Sequence, residues 1–330
     1  MQSKQVRLED VAQKAGVSIT TVSHVINKTR YVKRETRELV LKVLDELHYD
    51  IRKPKGRAGN GSRLIGVVVA DITEDYSISV VKAIETYASE QSYSIIVCDS
   101  EDDAEKEKYN VRNILDKDVA GLIIAPVNSQ KCPREISDTE LPVVFVDRKY
   151  DKHGRLFVGI NNFETGYLGT EYLASRGCTA IAFIGYPESV YTVRQRAIGY
   201  RDYLLQRLPA CPPRTLTVNY RQEDSNALIR EFVETYRPDG VLCATSDVCY
   251  QLVGSLGELG ISIPEQIKIV TYDDNKWLDY LRFPISVITQ PTSEIGFTAI
   301  EALVRMILHP EERQKIATEI FLQTGFIDRL

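Results

Sequence analysis

From Leu64 onward, short runs of β-branched and apolar residues alternate with amphipathic stretches: LIGVVVA, SVVKAIETYASEQ, SIIVC, EKYNVRNILDK, AGLIIAP and PVVFV follow one another up to Val146. Strands this uniformly apolar are buried on both faces, and the amphipathic segments between them supply the covering helices, so the pattern predicts an α/β, doubly wound parallel sheet. A second series begins near Asn161, with AIAFIG, GYRDYLLQRL, TLTVN, ALIREFVETY, DGVLCAT and IKIVTYD. Two similar α/β halves are expected.

In such sheets, ligands bind beyond the carboxyl ends of the strands. The residues just after those runs are Asp71, Asp147 and Arg148, Ser246 and Asp247, and Asp273 and Asp274. An Asp accepts from two vicinal hydroxyls and an Arg donates a planar fork, so these groups with Arg194 suit a polyhydroxylated ligand. Tyr76 and Trp277 offer an apolar face for a sugar ring. Each Asp also has a plainer reading as the N-cap of the next helix, Asp147 and Asp247 above all.

At 330 residues the chain has room for about two domains of roughly 150 residues each. It holds no apolar run of the roughly 18 residues that span a bilayer, and MQSKQVRLED lacks the apolar core of a secretory signal. A cytoplasmic protein without a membrane span is expected. Six cysteines without a CxxC pair read as reduced thiols, so no metal and no cofactor are expected. The four histidines are isolated, and the glycines at 254, 257 and 260 follow a helix-like stretch instead of a strand, so no enzyme chemistry is singled out.

The formal net charge of -5 hides an asymmetry: residues 1–63 carry 14 Lys or Arg against 7 Asp or Glu, and the remainder 27 against 39. A small basic module joined to a large acidic one points to a polyanion partner for the former. Leu8, Val11, Ala12 and Ala15 form the stripe of a short helix that Gly16 ends. Ser18 is placed to cap a second helix starting at Ile19, which gives a helix-turn-helix. In that second helix Val22, Val25 and Ile26 face inward, while Ile19, Thr20, Ser23, His24 and Asn27 face out. A third stretch from Glu35 to His48, with Leu39, Val40, Val43, Leu44 and Leu47, buttresses the pair. The exposed face fits a major groove, with Ile19, Thr20 and His24 toward bases and Ser23, Asn27, Lys28 and Arg30 toward phosphates. Ser18 and Thr21 complete the candidate DNA contacts. Residues 52–63, RKPKGRAGNGSR, hold five basic residues, three glycines and no acid, and read as a linker.

LEDVAQKAGVSITTVSHVINKTRYV followed by TRELVLKVLDELHY resembles the DNA-binding headpiece of the lactose/galactose repressor family (LacI/GalR), nearest its purine-repressor branch, and the resemblance runs to the C-terminus. It implies a transcriptional repressor, an N-terminal three-helix domain over residues 1–50, a hinge over 51–63, and a two-lobed core over 64–330 like that of periplasmic sugar-binding proteins. The lobes are expected at about 64–160 with 291–319, and about 161–290 with 320–330. The partners implied are a pseudo-palindromic double-stranded DNA operator, a small-molecule effector and a second copy of the chain. Leu330 ends the sequence without a leucine heptad, which favours a dimer over a tetramer. In relatives the hinge inserts a leucine between base pairs; Ala58 stands there, with Pro54, Gly56 and Gly59 around it. A basic arm that lays Lys53, Lys55 and Arg57 on DNA is therefore expected in its place. Asp71, Arg194, Ser246, Asp273 and Gln290 fall on positions that line the effector cleft in relatives, with Arg194 set where lactose-type members carry a sugar-binding arginine and Val190 at the purine branch's contact position. The implied effector is a sugar or sugar derivative. The alternatives are a purine or phosphoprotein corepressor, or a transport receptor sharing only the core fold, which leaves residues 1–50 without a purpose.

Overall fold

A computed structural model describes residues 8–18, 21, 22, 25, 32–47, 62–130, 132–151, 154–219, 225–315 and 317–330. The chain divides into two compact units, Met1–Gly61 and Ser62–Leu330.

In the first unit, α1 (Leu8–Ala15) ends at Gly16, whose φ of 64° places it in the left-handed region that glycine enters without a Cβ penalty. The Ser18 Oγ accepts the Thr21 N–H at 3.1 Å, an N-cap for the helical residues Thr21, Val22 and Val25. Val11, Ala12, Ala15, Val22 and Val25 pack with Val40, Val43 and Leu44 of α2 (Arg34–Glu46) into a miniature core. Leu39 departs from the expected buttress: it is exposed, because one face of α2 suffices to cover so small a core and Val40 and Val43 already fill it. Of the candidate DNA-contacting residues, Ser18 and Thr21 are described; Ile19, Thr20, Ser23, His24, Asn27, Lys28, Arg30, Lys53, Lys55 and Arg57 lie outside the described residues.

The second unit holds two six-stranded sheets. The first, in the order β11 (Glu319–Leu322), β5 (Leu156–Ile160), β4 (Val143–Val146), β3 (Gly121–Ile124), β1 (Leu64–Val69), β2 (Ser94–Asp99), is parallel throughout. Its residues alternate between two cores. Val67 and Val69 join Val80 and Ile84 of α3 (Asp75–Glu90) and Ile300 and Leu303 of α10 (Thr292–Leu308), while Val68 joins Val111 and Ile114 of α4 (Ala104–Leu115). Two buried faces are the physical reason the strand sequences are continuously apolar. One short helix, α5 (Arg134–Ser137), lies between β3 and β4.

The second sheet runs β12 (Gly325–Ile327), β10 (Ser286–Thr289), β9 (Lys268–Tyr272), β8 (Gly240–Cys243), β6 (Ile181–Gly185), β7 (Arg214–Thr217), parallel except for β12 against β10. Its helices are α6 (Asn162–Ser175), α7 (Tyr191–Arg207), α8 (Ser225–Tyr236) and α9 (Ser246–Leu259). Gly254 and Gly257 lie inside α9 and Gly260 is its left-handed cap, so these glycines form no phosphate loop.

The chain passes between the sheets three times: from β5 into α6, from β10 into α10, and between β11 and β12. The last passage corrects the boundary expected at 319/320. Glu319 through Leu322 pair in parallel with Phe157 through Ile160 in the first sheet, which places the change of lobe after Leu322.

Candidate functional site

The carboxyl ends of both sheets line one cavity of about 360 Å³. Asp71 follows β1, Asp147 and Arg148 follow β4, Tyr186 follows β6, Thr245 to Asp247 follow β8, Asp273 follows β9, and Gln290 follows β10. Glu74, Asp75 and Tyr76 come from the start of α3, and Arg196 from α7. Such a crevice is where open α/β sheets hold ligands, because the loops there are free to carry polar groups while the strands stay packed.

Asp147 and Asp273 are equivalent. Each follows the third strand of its sheet counted from the C-terminal edge strand, and each has a left-handed backbone, with φ of 60° and 64°. Asp tolerates that conformation better than most residues, so the turn that ends the strand also presents a carboxylate. Burial pushes the Asp147 carboxyl up from its usual range, against the pull of Arg148 and Arg196, and the Asp273 carboxyl up to about 6 for the same reason. Glu74 is pushed up to about 8 by burial, with Asp147, Asp102 and Asp71 adding to the effect.

The two guanidiniums are held by the protein. Arg148 donates from Nη1 to Asp102 Oδ1 at 2.8 Å, and its Nε lies 3.3 Å from Asp147 Oδ2. Arg196 is buried: its Nε donates to Asn162 Oδ1 at 2.8 Å, its Nη1 donates to the Ala244 carbonyl at 2.6 Å, and its plane lies 3.6 Å from the Tyr272 ring centroid. Gln290 Nε2 donates to Asp273 Oδ1 at 2.9 Å, and Trp277 Nε1 donates to Ser246 Oγ at 3.2 Å. Tyr250 meets Trp277 edge to face at 5.5 Å, an aromatic wall on the second lobe. Two buried polar atoms in this lining, Tyr76 Oη and Gln290 Oε1, have no hydrogen-bond partner in the protein. A buried orphan of this kind costs free energy unless a ligand or water satisfies it.

Eight of the nine effector-site residues expected from sequence line this cavity: Asp71, Tyr76, Asp147, Ser246, Asp247, Asp273, Trp277 and Gln290. Arg194 does not. Two residues along a helix is about 200° of rotation, so Arg194 and Arg196 of α7 point to opposite sides. Arg194 is ion-paired with Asp151, away from the lining, and Arg196 takes the place expected of it. Nor do Asp147 and Asp247 act as caps: Thr245 caps α9 by accepting from Val248 N, while Asp247 accepts from the Tyr186 hydroxyl and from Gln251 Nε2. Asp71 accepts from both the N–H and the hydroxyl of Thr73. Asp274 pairs with Arg329 outside the cavity. Glu74, Asp75, Tyr186, Tyr250 and Asn275 were not marked by any sequence pattern.

Beyond Arg148 and Tyr186, which both cavities share, a second hollow of about 310 Å³ is lined by Asn128, Gln130, Ser189 and Val190 among others. Val190 presents an apolar side chain there.

A helix-turn-helix head on a two-lobed core with a polar crevice between its sheets defines a DNA-binding regulator with a ligand-binding body. Comparison with known proteins gives the same class. Residues 7–50 match the family model of bacterial regulatory proteins of the lacI family, and residues 170–330 match a periplasmic binding protein-like domain. The HTH-type transcriptional repressor PurR of Vibrio atlanticus (strain LGP32) is 31% identical over 315 residues, and that of Vibrio parahaemolyticus serotype O3:K6 is 30% identical, each covering 94% of both chains. Among solved structures, the lac repressor dimer bound to operator and an anti-inducer superposes with a TM-score of 0.71 at 26% identity, over 99% of this chain and 98% of that one. The lac repressor bound to ONPG in the repressed state gives 0.70 at 27% identity over 99% of each chain. The chain belongs to the lacI family of bacterial regulatory proteins.

Among the described residues no helix is long and apolar enough to cross a membrane, and no group of three or more His, Cys, Asp or Glu side chains is arranged to hold a metal ion.

Proposed function

We propose that this chain is a sequence-specific transcriptional repressor whose operator affinity is set by a small polyhydroxylated molecule bound between the lobes. The observation that carries the reading is the cavity: carboxylates, guanidiniums and an aromatic wall from both sheets converge on it, and two of its buried polar atoms lack partners. Vicinal hydroxyls fit such a lining, since each one donates to a carboxylate and accepts from a guanidinium. Residues 1–50 bind DNA, with Ile19, Thr20 and His24 toward bases and Ser18, Thr21, Ser23, Asn27, Lys28 and Arg30 toward the backbone. Lys53, Lys55 and Arg57 add phosphate contacts. Two copies of the chain read two half-sites, and ligand closure of the lobes alters the separation of the heads.

A nucleobase effector is the second reading, favoured by the purine-type repressors among the relatives. Against it stands the aspartate-rich lining of the crevice, which suits vicinal hydroxyls.

Selection from a random DNA library with the full chain tests the main reading. The expected result is enrichment of a sequence with two related half-sites, bound about a thousandfold or more above random DNA at physiological salt. Equal affinity for all sequences would refute it.

A further inference from the structure

We infer that the ligand of this cavity carries a positive charge: a polyhydroxylated molecule bearing an amino group, such as an aminosugar, held through its ammonium by Asp147, Asp273 and Tyr76. The inference rests on the reading of the cavity as the effector site and narrows its chemistry.

The first ground is charge balance. Six carboxylates line the cavity, from Asp71, Glu74, Asp75, Asp147, Asp247 and Asp273, against two guanidiniums and, among the described residues, no lysine or histidine. Five of the eight groups already have partners or a favourable place within the protein. Asp71 is taken up by Thr73, Asp247 by Tyr186 and Gln251, and Asp75 lies in the first turn of α3, where the helix dipole favours an acid. Arg148 sits between Asp102 and Asp147, so its one charge serves two carboxylates. Arg196 spends its Nε and Nη1 on Asn162 and Ala244 and shares its field between Asp147 and Asp273. A negatively charged ligand adds like charge to a poorly screened site in which carboxylates outnumber guanidiniums.

The second ground is the orphaned hydroxyl. Tyr76 Oη is buried without a partner, and the charges of Asp147 and Asp273 both bear on it. Those two carboxylates with this hydroxyl oxygen make three acceptors. An ammonium supplies three donors and needs no acceptor in return, whereas a neutral hydroxyl supplies one. Glu74 is the sign of the same imbalance: burial pushes its carboxyl up to about 8, with the charges of Asp147, Asp102 and Asp71 adding to the effect against the pull of Arg148.

The placement also explains how a ligand would move the lobes. Asp147 and Tyr76 belong to the first lobe and Asp273 to the second. Carboxylates from the two lobes that line one crevice repel each other as it closes, and a cation between them turns repulsion into a bridge.

The test is isothermal titration of the full chain with matched triplets: glucose, glucosamine and glucose 6-phosphate, with the corresponding galactose and mannose series. The expected result is that in at least one series the amino compound binds about tenfold or more tighter than its neutral parent, as a charge-assisted contact predicts, while the phosphate does not bind. That advantage should vanish in Asp147→Asn and Asp273→Asn, with both variants keeping a cooperative thermal transition, and should shrink at high salt. Absence of binding by all three amino compounds, a phosphate or neutral member binding best, or an amino advantage that survives both substitutions would each overturn the inference. If a neutral or phosphorylated member binds and changes operator affinity, the effector reading stands and only the charge assignment falls. If a compound binds and operator affinity never changes, the effector reading itself fails.

Discussion

Arg194 and Arg196 are separated by one glutamine, and their roles differ because a helix turns about 100° per residue. The motif RQR marks the right helix but not the right arginine, since the sequence alone leaves the phase of α7 against its neighbours open. Asn162 and the Ala244 carbonyl fix that phase by accepting from Arg196. Arg194→Ala should therefore leave ligand affinity within about twofold, while Arg196→Lys, which keeps the charge but loses the planar fork, should lower it by about tenfold or more in the same titration. Glu74 was invisible in sequence for a different reason: its carboxyl is pushed up to about 8 because folding buries it, with Asp147, Asp102 and Asp71 adding to the effect against the pull of Arg148. A carboxyl raised on folding binds protons in the native state that the unfolded chain has released, so its contribution to stability is complete below about 4.5 and is lost as pH rises through about 8. The melting temperature should decline between pH 6 and pH 9. In Glu74→Gln, followed by calorimetry over that range, the decline should flatten.

At the scale of elements, the strands that the sequence announced are those buried on both faces, β1, β3, β4, β6, β8 and β9, together with β2 and β7 that the regular alternation carried along. Four were not announced. The stretch LFVGI of β5 is wholly buried, but it follows β4 without an intervening helix and so breaks the rhythm. β10 is four residues long, and β11 and β12 are short edge strands whose partners lie far away in sequence, as in Glu319 with Phe157. No local periodicity reports a pairing across that distance. The approach of α6 to α7 is similar: a Cβ on Gly199 would stand 2.0 Å from the Phe163 carbonyl oxygen, and one on Gly166 would stand 2.2 Å from that of Arg196. Only glycine lets these two helices touch so closely, and their contact is what sets Arg196 against Asn162. Gly199→Ala should force them apart, costing about 1–3 kcal/mol or more by overpacking. A lowered urea midpoint with weakened ligand binding is the expected outcome, against an unchanged midpoint if the contact were loose.

At the scale of the whole molecule, the division into a basic head and an acidic body was legible from charge alone, as was the pairing of two α/β halves. The lobe boundary near the C-terminus was not, because β11 joins the first sheet through backbone pairing that its sequence does not advertise. Function in this account is a coupling: occupancy of the crevice changes the arrangement of the lobes, and that change alters how tightly the heads hold DNA. Coupling of this kind is reciprocal, so the factor by which a ligand changes operator affinity must equal the factor by which operator changes ligand affinity. The most direct measurement is therefore a pair of titrations at one salt concentration on the full chain: operator binding by fluorescence anisotropy with and without a saturating crevice ligand, and ligand binding by calorimetry with and without saturating operator. The account predicts that both affinities shift by the same factor, about fivefold or more. A ligand that occupies the crevice while both affinities stay unchanged would contradict it.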